Sequence, residues 1–294
     1  MSHRTQNWLG MAVVLMLPWN ASVSHACTLF YAAAGDVMLG GNNEDWHIPL
    51  TKLWFVPGEN GKYGVAYVTF NDHRAIQGGV NDQGLFFDFL AVRPRDVQPT
   101  PGKQRWTGHP LRQVMEQCAT VDEAVTMLES HHREFMRRIC IFLGDAHGKS
   151  AIVEAEAVVR KKGAYQVATN FRQSLTPPGQ STSRRYRTAN RMLAQADKYS
   201  VDLFRRICAA VHQEGYNSTL YSTVYDLQRK RIYLWHFHNY KNVVVFDVEK
   251  ELTKGEHIVE MPSLFPASPA FERFRQSHSK PAKRPASDGR QRRN

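Results

Sequence analysis

Between Cys27 and Asp247 the apolar runs arrive in blocks, and their order limits the fold more than any bulk property does. CTLFYAA and DVMLGGN flank a turn at Gly35-Asp36, and LWFV, YGVAYVTF and GLFFDFLAV follow, cut by Gly, Asn and Asp. All five read as strands. After a loop at 93–108 two helices are predicted, HPLRQVMEQC and VDEAVTMLESHH, the second opened by a Thr120/Glu123 capping box. RRICIFLGDAHGKSAIVEAEAVV reads as strand, turn, strand, and GAYQVATN as a strand ending at Asn170. SRRYRTANRMLAQADK and SVDLFRRICAAVHQ have helical apolar spacing, and TLYSTVYDLQ, RIYLWHFH and NVVVFDV close the series as β-rich runs. Strands, helices, strands, helices, strands, with no repeat and no linker across 27–265, predict one α+β domain with helices covering sheets. A 42% hydrophobic content in 294 residues supplies the core.

The two ends stand apart. Residues 1–26 have the form of a secretory signal peptide: Arg4, the apolar run WLGMAVVLMLPW, and Ser24-His25-Ala26 before the cut. The run is short for a membrane span, and none is expected after cleavage. Export to the periplasm or the medium follows, with signal peptidase as a partner. At the other end, 272–294 hold eight Lys and Arg against Glu272 and Asp288, over half of the formal net charge of +11. Residues 266–294 are therefore expected to be a solvated, disordered basic tail. Its charge is the sole argument for nucleic-acid binding, and no reader motif accompanies it.

Several motifs dissolve on inspection. GDAHGKS (144–150) is one residue short of a phosphate-binding loop and reads as a polar turn. His131-His132 and the His236/His238 pair come without companions at zinc-site spacing, so no metal and no cofactor is expected. An exported chain permits a disulfide among Cys118, Cys140 and Cys208, without fixing which.

Cys27 is different, because cleavage after Ala26 would make it the first residue. An N-terminal cysteine carries its own base: the α-amine, with a pKa of about 8, can take the thiol proton. Lipidation is the competing use of such a cysteine, but Ser24 and His25 fit a lipobox badly. Thiolate chemistry on an amide also needs a carboxylate near the amine and fixed donors for the oxyanion. Asp45 or Glu44, in NNEDW, can supply the first, and Asn170 the second.

CTLF at 27–30, GGNNEDW (40–46), GGVNDQGLFFD (78–88), VATNF (167–171), STSRRYR (181–187), YSTVYDL and RIYLWHF occur in an order that resembles the choloylglycine hydrolase group of N-terminal nucleophile hydrolases. That group includes bile salt hydrolases and penicillin V acylases, with acyl-coenzyme A:penicillin acyltransferase relatives. The resemblance covers nearly all of 27–250 and implies a four-layer αββα sandwich. It places Cys27 on the nucleophile, Asp45 on the aspartate that contacts its amine, Asn170 on the oxyanion site and Arg184 on the group's arginine, with Arg187 as the alternative register. Asn42, Trp46 and Asn81 are the candidate substrate-binding residues. Bile salt hydrolases have arginine in place of Asn42 and asparagine in place of Ala91, which argues against bile-salt specificity and leaves amide hydrolysis in place.

The expected function is an exported cysteine amidohydrolase that opens a linear amide of an N-acylated small molecule through a thioester. An acyltransferase on the same scaffold and a non-enzymatic exported lipoprotein are the alternatives. A second copy of the chain is an admissible partner.

Overall fold

The first hairpin sets the architecture. β1 (Thr28–Ala34) and β2 (Val37–Trp46) pair antiparallel in the middle of a six-stranded sheet. Its remaining strands are β10 (Tyr165–Ala168) beside β1, and β11 (Ser218–Asp226), β12 (Arg231–His236) and β13 (Asn239–Asp247) beyond β2. The structure, a computed structural model, describes residues 27–71, 75–177 and 179–278. The expected signal segment 1–26 falls outside them.

An eight-stranded antiparallel sheet faces the first. Its order is β14 (His257–Glu260), β3 (Lys52–Val56), β4 (Val65–Thr69), β5 (Ile76–Asn81), β6 (Phe86–Ala91), β7 (Ile139–Gly144), β8 (Ser150–Val153) and β9 (Val158–Arg160). Leu29, Tyr31, Phe55, Phe86 and Phe142 fill the space between the sheets. Helices α1 (Pro110–Gln117) and α2 (Val121–Ser130) cover the outer face of the larger sheet with Leu111, Val114, Val125 and Leu128. Helices α3 (Arg184–Ala194) and α4 (Val201–Val211) cover the smaller one with Ala189, Leu193, Phe204 and Ile207. The result is the expected four-layer αββα sandwich. With a layer on each side, the central strands bury both faces, which is why CTLFYAA is a continuous apolar run and not an alternating one.

Local signals explain the helix starts. Thr120 and Glu123 form the reciprocal capping box, and Ser183 and Ser200 cap α3 and α4. GDAHGKS is the polar turn expected: the Asp145 carboxylate accepts from the backbone N–H of His147 and Lys149, both at 2.9 Å, and of Val121 at 2.8 Å, tying the turn to the start of α2. All four cysteines among the described residues are separate, buried thiols, so no disulfide joins Cys118, Cys140 and Cys208. No helix among the described residues is long and apolar enough to cross a membrane.

The expected tail starts too early. After the short α5 (Val248–Leu252), residues 269–278 form α6 (Pro269–His278), and Phe271 and Phe274, one helical turn apart, are 5% and 7% exposed. Both rings pack on Phe237 with centroids 5.2 Å away. Charge dominates the composition of this stretch, but two aromatics at i and i+3 suffice to bury one face of a short helix.

Candidate active site

β2 carries an uninterrupted polar sequence, NNEDW, through a buried position, and its pleat divides the side chains. Asn42 and Glu44 point between the sheets, and Asn43 and Asp45 point toward α3 and α4. Across from them β11 has a bulge between Thr219 and Tyr221, opposite Asp45 and Glu44. The extra residue turns both Leu220 and Tyr221 into the inter-sheet core while Thr219 stays on the helix side. Each acid of β2 thereby gains a hydroxyl partner on its own face.

On the inner side the Cys27 Sγ donates to Glu44 Oε1 at 3.5 Å, and the Tyr221 hydroxyl donates to Glu44 Oε2 at 3.5 Å. Asp88, on β6 of the facing sheet, joins this group. Gly78, its partner on β5, leaves the room: a Cβ there would stand 2.7 Å from Asp88 Oδ2. That oxygen has no hydrogen-bond partner among the described residues. Burial pushes the Glu44 carboxyl up to about 7 and raises Asp88 well above the ordinary carboxylate range. Burial also raises the Cys27 thiol, and the acids Glu44, Asp45 and Asp88 add to this, whereas the backbone N–H of Asp45 favours the thiolate.

On the helix side Asp45 is fully buried and accepts from the Thr219 hydroxyl and, at 2.9 Å, from Gln213 Nε2. Burial pushes it up to about 8, opposed by Arg185, whose guanidinium is 3.7 Å away. Arg185 also donates to the Cys27 carbonyl and to Thr28 Oγ1, both at 2.6 Å, and to Asn170 Oδ1 at 3.0 Å. One guanidinium thus holds the nucleophile's backbone, the oxyanion candidate and the buried acid. It stands in the first turn of α3, where a cation opposes the helix dipole. Its polar contacts lie beyond the helix.

The assignment of Arg184 is therefore corrected to Arg185. Arg184 is exposed, and Arg187 donates to Ser181 O in the loop before the helix. In SRRYR the motif alone leaves the register open, and the N-cap at Ser183 is what turns the second arginine inward. Asn170 falls two residues beyond β10, not at its end, and its Nδ2 donates to Ala91 O at 2.9 Å. One Nδ2 hydrogen is left over.

Of the candidate substrate contacts, Asn81 is withdrawn. Its Nδ2 donates to Met115 O at 3.0 Å and Cys118 O at 2.8 Å, closing the end of α1, and its Oδ1 accepts from Gln83 N and Leu85 N. All its hydrogen-bonding capacity goes to the end of α1 and the 83–85 turn. Asn42 is fully buried, with neither side-chain polar atom paired among the described residues. Trp46 is half-buried and stacks on Phe70 at 6.0 Å. Two clefts meet at Asn170 and Phe171. One, of about 500 Å³, is lined by Ser183, Arg185, His212 and Gln213, and the other, of about 490 Å³, by Arg93, Arg95, Arg172 and Leu175.

The family model of acyl-coenzyme A:6-aminopenicillanic acid acyl-transferase matches residues 33–240, well over half of the chain, with Asp45, Asn170 and Arg185 inside the match. The chain belongs to this acyl-transferase family. The match bears out the resemblance seen in the motifs and makes the protein an enzyme of the amidase and acyl-transferase group. Solved structures give the same fold. Penicillin V acylase of Agrobacterium tumefaciens superposes with a TM-score of 0.58 at 18% identity, over 80% of this chain and 90% of that one. A variant of the conjugated bile acid hydrolase of Clostridium perfringens gives 0.60 at 17% identity, over 80% and 96%. No curated protein sequence gives a match.

Within the acyl-transferase family frame, Arg185, Asp88, Tyr221, Thr219 and Gln213 are the members of the site that sequence reasoning missed. Asp88 left a signal, an acid in the middle of the apolar strand GLFFDFLAV, where an ionisable group is rarely buried without purpose. Thr219 and Tyr221 left none, because a bulge decides which faces they take.

Proposed function

We propose that the protein is an exported cysteine amidohydrolase that cleaves a linear carbon–nitrogen amide bond, other than a peptide bond, of an N-acylated small molecule. The observation that carries this reading is the convergence on Cys27. Its thiol meets Glu44, its carbonyl meets Arg185, and Arg185 in turn holds Asn170 and Asp45. Three carboxyls, Glu44, Asp45 and Asp88, crowd residue 27, and among the described residues Arg185 is the one cation set among them. Buried acids without counter-charge are costly. A free α-amine on Cys27, left by removal of residues 1–26, becomes the missing positive charge when it takes the thiol proton, and the ammonium so formed stabilises the thiolate beside it.

The amine takes the thiol proton, and the thiolate forms a C–S bond to the amide carbon while the carbonyl electron pair moves to oxygen. The remaining Nδ2 hydrogen of Asn170 donates to that oxyanion. Collapse breaks the C–N bond, and the ammonium gives its proton to the departing nitrogen. Water, with the amine again as base, then opens the thioester. The two clefts that meet at Asn170, one of them lined by the Arg185 that holds the Cys27 carbonyl, are the candidate room for the acyl and amine portions. Passing the thioester to an amine in place of water is the second reading, favoured by the family match.

Three forms of the chain, beginning at Met1, Ala26 and Cys27 and checked by mass spectrometry, test the mechanism on a panel of N-acyl amino acids, penicillin V, bile salts and acyl homoserine lactones. The form beginning at Cys27 should be active and should lose activity with Cys27→Ala. Equal activity from the form beginning at Ala26 would remove the amine as base.

A further inference from the structure

Beside the first cleft, α4 ends at His212. The His212 ring donates from Nδ1 to Ala209 O at 2.7 Å, and its Nε2 faces Glu214 Oε1 at 3.2 Å, where it donates to the carboxylate and where a metal ion would take the place of that proton. A second histidine reaches the same place from the β12–β13 hairpin. Its two-residue turn is Phe237-His238, with φ of 42° and 65°. Such turns favour Asn-Gly, because both residues need positive φ. The His238 ring centroid is 4.8 Å from that of His212. His238 Nε2 is buried and has no hydrogen-bond partner among the described residues. One donor atom from each of His212, Glu214 and His238 falls within 4.8 Å of the others.

We propose that His212 Nε2, the Glu214 carboxylate and His238 Nε2 form a binding site for a divalent transition-metal ion of the zinc class. Two imidazoles and one carboxylate are a set that zinc-class ions accept, and three protein ligands leave one position open. The carbonyl that fixes the His212 tautomer is the kind of outer partner that orients ligating histidines. An ion about 2.0–2.2 Å from each ligand needs donors roughly 3.3–3.5 Å apart. His212 Nε2 and Glu214 Oε1 already stand near that separation, so binding closes the widest pair, at most 4.8 Å, by up to about 1.4 Å, and the exposed Glu214 side chain can follow. A metal would also give His238 Nε2 the partner that it lacks among the described residues. His212 lines the cleft that contains Asn170 and Arg185, so the open position lies at the cleft wall. Between the two ligands on the 212–214 segment stands Gln213, whose amide holds Asp45. A bound ion would join this segment to the β12–β13 turn and brace the Asp45 hydrogen bond from outside.

The site is independent of the proposed reaction, so its test needs no substrate. The full chain, with Cys27→Ala to remove a competing thiol, is freed of metal with a chelator and titrated with Zn²⁺ by calorimetry and with Co²⁺ by visible absorption. One equivalent of Zn²⁺ should bind, Co²⁺ should give the intense bands of a four-coordinate ion, and Zn²⁺ should raise the melting temperature by mass action. Even an outer partner of a ligand is worth 10–100-fold in affinity, so His238→Gln and Glu214→Gln should each weaken binding by at least about 100-fold. His131→Gln, at a histidine stacked on Trp106 far along the chain, should bind as the parent does. Glu214 is exposed, so its variant stays folded even if the strained turn does not tolerate His238→Gln. Absence of stoichiometric binding, or affinity unchanged in either ligand variant, would overturn the proposal.

Discussion

Replacing Arg185 should damage the protein far more than replacing its neighbour Arg184, and the difference should grow with pH. The Arg185 side chain is 14% exposed, Asp45 is fully buried, and they are 3.7 Å apart. At an effective dielectric constant of 20 that pair is worth on the order of 4 kcal/mol before desolvation is counted. Arg185→Ala also strips a donor from Cys27 O, Thr28 Oγ1 and Asn170 Oδ1. A buried acceptor left unsatisfied costs roughly 1–3 kcal/mol, and part of the total returns because a guanidinium is no longer buried. At pH 6, where Asp45 can stay protonated in both proteins, the loss should be about 3 kcal/mol by urea unfolding. Burial already pushes Asp45 up to about 8 with Arg185 present. Without the arginine its folded-state pKa rises further. Parent and variant both lose stability as pH rises from the ordinary carboxylate range to 8, and only the variant keeps losing it above 8. At pH 9.5 that adds about 2 kcal/mol, at 1.36 kcal/mol per pH unit. Arg184→Ala, at an exposed position, should stay within about 0.5 kcal/mol at both pH values. Equal losses for the two arginines, or a difference that does not change with pH, would refute the site geometry.

Asn170→Ala should lower kcat by about 10²–10³ with little change in KM, because an oxyanion donor acts in the transition state, and steady-state kinetics on any cleaved amide reads the split. Glu44 titrates near 7 in the folded chain and in the ordinary range when unfolded, so its raised pKa makes stability fall as pH climbs from about 4.5 to 7, by about 3 kcal/mol. Glu44→Gln should flatten that stretch of the stability–pH curve, and an unchanged slope would place the titration elsewhere. Phe274→Ala should cost about 3–5 kcal/mol if α6 is part of the body, and less than 0.5 kcal/mol if that stretch were solvated.

The layers were legible because both faces of each sheet are covered, which writes whole apolar runs into the sequence. β5, β9 and β14 were not, since AIQGGVN, VVR and HIVE are glycine-rich or too short to show a period. Cys27, Asp45 and Asn170 are candidates from motif order, and the structure brings all three to Arg185. The arginine's register could not be read, because two adjacent arginines at a helix start differ only by about 100° of rotation, set by the Ser183 cap. Asn81 was misread for a related reason. Its amide type suits a substrate contact and a turn equally, and four backbone partners from the end of α1 and the 83–85 turn take up the whole amide.

Glu44 and Asp45 are consecutive residues on one strand, yet they serve different chambers, one shared with the thiol and one with the guanidinium. β2 therefore acts as a septum. Even-numbered positions write the chemistry of one room and odd-numbered positions that of the other, and a mutation at either parity can retune its room while the other keeps its composition. The same wiring makes the stretch intolerant of length changes. A one-residue deletion between Gly40 and Asn43 would exchange the two rooms' acids, presenting Asp45 to the thiol and Glu44 to Arg185. Variation in this enzyme should accordingly run through substitutions along 40–46, never through insertions or deletions there.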